Sequence, residues 1–250
     1  MKIVACYSNK GGVGKTATAV NIAHAFAAAG QRVLLCDLDP QGASSFYFRI
    51  KPSKKLVEGA FFEDVGKFTD AIRGSDFDNL DILPANMSFR DFDVFLSRLR
   101  NSRSRLQKAL KSVKGDYDLV VLDCPPNIST LSENIFRAAD AVLVPVIPTT
   151  LSQRTFEQLL AFFDDKDLPR RKIHAFFSMV QMVKSLHVET MAAMTGARSK
   201  RMMQTRIPFA AEIERMGLHR APVAVTAPAS VAAQAYADLH REFAARLARA

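Results

Sequence analysis

The chain has 250 residues, 48% hydrophobic and 24% charged, which suits a buried core and excludes disordered and collagen-like classes. Lys and Arg number 34 against 25 Asp and Glu, a formal charge of +9 that suits a nucleic acid or other polyanionic partner, with solvated faces as the plain alternative. Cys6, Cys36 and Cys124 form no C-x-x-C pair, and each lies in or beside an apolar run. They read as small buried hydrophobes of a reducing compartment. The opening "MKIVACY" turns into a glycine loop too soon for a secretory h-region, and no apolar run approaches membrane-spanning length. The expected location is the cytoplasm.

Short apolar runs alternate with longer amphipathic ones. Strands are predicted at 2–8, 31–39, 80–85, 117–126, 140–148 and 172–180. They are apolar on both faces, as in a parallel sheet. The first helix is predicted from Lys15 to Ala29, with Val20, Ile22, Ala23, Phe26 and Ala27 as its stripe and Gly30 as its C′ glycine. The last runs from Ser230 to Ala248, with Val231, Ala235, Leu239, Phe243 and Leu247 facing the core. The segment 43–79 is a long connection of mixed character, and no linker cuts the chain. The β-α-β-α order implies an α/β fold: one domain over 1–250, a doubly wound, mostly parallel sheet flanked by helices.

Three stretches carry chemistry. "YSNKGGVGKTATA" (7–19) places Gly11, Gly12, Val13 and Gly14 between a strand and a helix that starts at Lys15. Glycines let backbone amides converge on an anion, and the helix terminus adds partial positive charge. Lys15 can reach β and γ phosphates, and the Thr16 hydroxyl can ligate Mg²⁺. The first glycine of the usual phosphate-loop pattern is replaced by Asn9, and Lys10 adds a second cation. In "LLCDLDPQG" (34–42), Asp37 and Asp39 stand at a strand's C-terminal end, where ligands bind in open α/β sheets. One of the pair is expected to point at the phosphates. "DLVVLDCPP" (118–126) is an apolar strand ending in Asp123, the Walker-B pattern that delivers a carboxylate beside a metal.

"NKGGVGKT", "DLDPQG" and "DCPP" together resemble the ParA/MinD family of deviant Walker-A ATPases, P-loop NTPases. Further look-alikes run nearly end to end: "NLDILPAN", "ADAVLVPV", the Ile207-Pro208 pair and "AAQAYADLHREF". The resemblance implies a slow, partner-stimulated ATPase with ATP and Mg²⁺ as cofactors. By the same resemblance Lys15 and Thr16 match the phosphate lysine and the metal-ligating threonine, in a nucleotide site of Lys10, Gly11, Gly12, Val13, Gly14, Lys15, Thr16, Ala17 and Pro208. Lys10 matches the signature lysine that reaches the partner subunit's nucleotide in an ATP-bound homodimer. Asp39 matches the aspartate that positions the attacking water and, with Thr16 and Asp123, belongs to the metal site. Asp37 stands between contact with the lysine and with the metal shell. Segments 37–42 and 123–128 would be switches.

Basic residues cluster at 98–114 (Arg98, Arg100, Arg103, Arg105, Lys108, Lys111, Lys114), at 170–172 and at 198–206. Each has a solvated face as its plain reading. The resemblance implies DNA binding without sequence preference, through Arg198, Lys200, Arg201 and Arg206, and a ParB-like or cargo-adaptor protein that stimulates hydrolysis. The ATP state would be nucleoid-associated, with no membrane partner. Departures put the DNA face in question: Val231 stands where many relatives carry arginine, Phe209 follows the Ile-Pro pair, and "SMVQMVKSLH" lacks the usual Val-Asp-x-Arg. A MinD-like, membrane-associated spatial regulator is the alternative. A cluster-bearing reductase relative is disfavoured because Cys124 has no companion cysteine.

Overall fold

A computed structural model describes residues 1–52, 56–99, 101–198 and 200–249, with the backbone alone at Ala197 and Arg198. In chain order the elements are β1 (Lys2–Cys6), α1 (Lys15–Ala28), β2 (Val33–Asp37), α2 (Ala43–Tyr47), α3 (Glu58–Glu63), α4 (Val65–Asp70), β3 (Arg73–Gly74) and β4 (Leu80–Leu83). Then come α5 (Phe92–Arg98), α6 (Arg105–Lys111), β5 (Leu119–Asp123), α7 (Thr130–Ala138), β6 (Ala141–Val146) and α8 (Thr150–Asp165). The chain continues through β7 (Ile173–Val180), α9 (Ser185–Arg198), β8 (Met202–Pro208), α10 (Ala211–His219), α11 (Val223–Thr226) and α12 (Val231–Leu247).

The strands form one sheet in the order β3-β4-β2-β5-β1-β6-β7-β8, parallel throughout except for the short β3–β4 pair. Successive strand residues alternate between two cores. Ile3, Ala5, Leu34, Cys36, Val120 and Leu122 face the layer that includes α5, α6 and α7. Val4, Cys6, Val33, Leu35, Leu119 and Val121 face α1 and α12. This period of two explains why the strands read as apolar on both faces. All three cysteines are free and buried.

All six predicted strands exist, each trimmed at one or both ends. Helix α1 ends as predicted: Gly30 adopts φ 89°, and the amides of Gly30 and Gln31 return to the carbonyls of Ala27 and Phe26 in a Schellman closure. Two strands were not predicted. β3 has two residues, and β8 ("MMQTRIP") carries Gln204, Thr205 and Arg206 among its apolar positions because it is the sheet edge. Segment 43–79 is also more structured than expected, with Phe61 and Phe68 buried in the core. In α12, Ala235, Leu239, Phe243 and Leu247 are buried as expected, but Val231 is 76% exposed. It is the first helical residue, beyond the reach of the sheet, and lines a surface cavity with Pro208.

Candidate nucleotide site

Parallel pairing puts the chemistry at one end of three neighbouring strands. Cys6 of β1 pairs with Asp123 of β5, and Asp123 pairs with Asp37 of β2. The chain leaving β1 therefore passes the ends of both carboxylate strands before entering α1. Gly12 and Gly14 take φ of 70° and 93°, conformations that favour glycine. A Cβ on Gly11 or Gly12 would meet nothing within 4 Å, whereas one on Gly14 would lie 3.2 Å from Ser178 Oγ. The loop is thus an open cradle beside Gly11 and Gly12 and pressed against β7 at Gly14. Val13 is buried, and Ala17 packs against the α1-side core.

Lys15 is buried, and its Nζ donates to the Lys10 carbonyl at 3.4 Å. Burial lowers its pKa, and the charges of Asp123 and Asp39 oppose that shift. Asp123 is fully buried and accepts a 2.5 Å bond from Ser44 Oγ at Oδ2. Its pKa is raised, first by burial, while the Ser44 and Thr16 hydroxyls pull it down. Asp37 is also fully buried and receives Ser45 N at 2.8 Å and Ser45 Oγ at 2.7 Å. Burial raises its pKa, and the neighbouring Asp123 charge adds to the effect.

The paired aspartates separate because only one of them lies on the strand. Residues i and i+2 of a strand share a face. Here β2 stops at Asp37, and Asp39 lies on the following turn, half-buried, with Oδ1 accepting the Gln41 amide at 3.0 Å. Asp39, not Asp37, acts on Lys15. Asp37 holds the start of α2 instead.

Buried Asp123 Oδ1 has no hydrogen-bond partner. An unpaired carboxylate oxygen in a desolvated setting, with the Thr16 hydroxyl and an ammonium group nearby, fits a divalent cation. Among the described residues no group of three His, Cys, Asp or Glu side chains is placed to hold a metal. Mg²⁺ takes waters and phosphate oxygens as most of its ligands.

Lys10 takes a different direction from Lys15. Its Nζ donates to Ser152 Oγ at 3.1 Å, and Ser152 is buried near the start of α8, where Thr149 Oγ1 bonds the same hydroxyl at 3.0 Å. Sequence reasoning missed Ser44, Ser45 and Ser152. Ser44 and Ser45 lie just beyond the Asp-Pro-Gln-Gly turn, the one sequence signal that could have marked them.

The remaining predicted residues are dispersed. Pro208 ends β8 and lines a cavity with Val180, Arg206 and Val231 that the phosphate loop does not share. Arg206 and Lys200 are exposed and Arg201 is half-buried, while the Arg198 side chain lies outside the described residues. In the 98–114 cluster Arg103 pairs with Glu133, and Lys108, Lys111 and Lys114 are exposed; Arg100 lies outside the described residues. Helix α6, which carries Lys108 and Lys111, packs with α3 and α7, away from the β8 edge. No helix among the described residues is long and apolar enough to cross a membrane.

A family profile described as an AAA domain matches residues 1–172. The chain is 30% identical over 254 residues to the sporulation initiation inhibitor protein Soj of Bacillus subtilis, covering 98% of each chain. It is 36% identical over 149 residues to the chromosome partitioning protein ParA of Caulobacter vibrioides, covering 58% of this chain and 56% of that protein. Among solved structures it resembles cobyrinic acid a,c-diamide synthase from Mycobacterium smegmatis with bound ATP analogue and magnesium, at 26% identity and TM-score 0.79, covering 96% of this chain and 93% of that one. With a glycine loop carrying two lysines, a buried Walker-B carboxylate beside it, and these likenesses across the chain, the protein belongs to the ParA/MinD family of partition and positioning P-loop ATPases.

Proposed function

We propose that the protein is an ATP- and Mg²⁺-dependent partition or positioning ATPase. It pairs as a homodimer around ATP, binds DNA without sequence preference in that state, and is switched off when a ParB-like or cargo-adaptor protein stimulates hydrolysis. The observation that carries this reading is the placement of two lysines on one loop. Lys15 is buried toward Asp123 and Asp39, while the Lys10 ammonium is held by Ser152.

Each residue has a task that follows from its setting. The amides at Gly11 to Gly14 and the start of α1 would hold phosphate oxygens. Lys15, with Asp123 and Asp39 favouring its charged form, would neutralise charge developing on the transferred group. Thr16 and Asp123 would hold Mg²⁺. Bound ATP would supply the phosphoryl group, and Mg²⁺ the positive charge that the buried carboxylates lack. Asp39, fixed through one oxygen by the Gln41 amide, would orient the attacking water. Lys10, freed from Ser152, would complete the partner's site, so that catalysis and pairing depend on each other. Exposed Lys200 and Arg206 would contact DNA phosphates, a steeply salt-dependent mode. The apolar stripe of α12 is buried in the core, so that stripe is not offered to a membrane surface.

The test compares wild type with Lys10→Ala. The variant should retain ATP binding but lose the ATP-dependent dimer and stimulated turnover, and wild type should bind DNA with ATP and release it with ADP. Normal dimerisation by the variant would overturn the trans role, and equal DNA binding in both nucleotide states would overturn the switch.

A further inference from the structure

The sheet end opposite the phosphate loop holds a second concentration of cations. A cavity of about 380 Å³ is lined by Asp140, Arg171, Lys172, His174, Arg246 and Arg249. It sits where β6 and β7 begin and α12 ends. Four cations face one carboxylate, and that carboxylate already accepts the Ile3 amide at 2.7 Å. Arg246 is occupied with Glu242 and with the Lys200 and Met202 carbonyls. Lys172 donates to the carbonyls of Phe136 at 3.0 Å and Arg137 at 3.4 Å, leaving one ammonium hydrogen unused. Arg171 and Arg249 are exposed, and neither guanidinium group bonds or pairs with any described residue.

His174 supplies an independent sign of a ligand. It is 8% exposed, yet neither ring nitrogen has a hydrogen-bond partner. Burial and the Arg246 charge depress its pKa to about 4, so the ring is neutral at neutral pH and still carries one N–H. A buried N–H without an acceptor is costly, and here it lines a cavity ringed by guanidinium groups.

We propose that this cavity is a second anion site, which takes a small phosphorylated molecule with its phosphate between Arg171, Lys172 and Arg249 and an oxygen accepting from His174. Arginine matches phosphate geometry with paired donors, and the volume falls within the range of small-molecule sites. A DNA backbone is a poorer occupant, because a duplex presents a convex surface and cannot follow the cavity down to a buried imidazole. The site shares no residue with the phosphate loop, so it stands apart from the ATPase reading.

The probe is inorganic pyrophosphate, read at the His174 ring by ¹H–¹⁵N NMR, with the resonance assigned through His174→Gln. A site-specific signal separates this cavity from pyrophosphate bound at the loop. Wild type should give a saturable shift, and Arg171→Ala/Arg249→Ala should weaken it at least tenfold while melting with wild type, since both side chains are exposed. No shift in wild type, or equal affinity in the double variant, would overturn the site. A shift produced by a short DNA duplex but not by pyrophosphate would equally overturn it and assign the patch to nucleic acid.

Discussion

Ser152→Ala tests the coupling between loop and dimer most directly. In the structure Ser152 holds the Lys10 ammonium at 3.1 Å, and any role for Lys10 in the partner's site requires that bond to break. Hydrogen bonds to charged groups contribute about 1.5–3 kcal/mol when desolvated, and half-exposure of Lys10 reduces this to about 1 kcal/mol. A dimer of the proposed kind would release two such lysines, so removing the hydroxyl should favour pairing by about 2 kcal/mol, or about thirtyfold in the dimer dissociation constant. Sedimentation equilibrium with Mg-ATP would measure it. The fold of each subunit should lose little more than the same ~1 kcal/mol, because Thr149 still caps α8 through the Ser152 amide. An unchanged or weaker dimer in Ser152→Ala, alongside a lost dimer in Lys10→Ala, would refute the reasoning and make the contact incidental.

Ser44→Ala should remove the 2.5 Å bond to Asp123, push that carboxyl's pKa further up and weaken Mg²⁺ affinity; the bond's loss should cost about 1–3 kcal/mol of apo stability, read by magnesium titration and thermal melts. His174 predicts an acid sensitivity. Its folded pKa of about 4 lies below the ordinary 6.5, so the unfolded chain takes up the proton first. Its contribution is complete above pH 6.5 and falls as pH drops toward 4, by up to about 3 kcal/mol. His174→Gln should flatten that part of the stability curve, measured by denaturant titration at pH 4 to 7. The surrounding Asp140, Arg171, Lys172, Glu242, Arg246 and Arg249 remain in both proteins.

What the sequence determined by itself is whatever local chemistry dictates. A strand, a glycine run and Gly-Lys-Thr mark the open loop and the helix start that follows it, because the positive φ of Gly12 and Gly14 and the start of α1 are properties of adjacent residues. The buried strands were legible because both faces of a covered parallel sheet must be apolar, and Gly30 marked the end of α1 through its backbone alone. Where burial is one-sided the signal failed: β8 carries polar residues because nothing pairs beyond it, and Val231 continues an apolar stripe past the sheet that would cover it. Tertiary structure alone decided the partners. Ser44 meets Asp123 across 79 residues and Lys10 meets Ser152 across 142, separations that carry no periodicity or motif. The same holds for His174 and its distant neighbours Asp140, Arg246 and Arg249, which come from another strand start and a helix end. Folding brings those groups together, and only then do their unmet hydrogen bonds and charges acquire meaning.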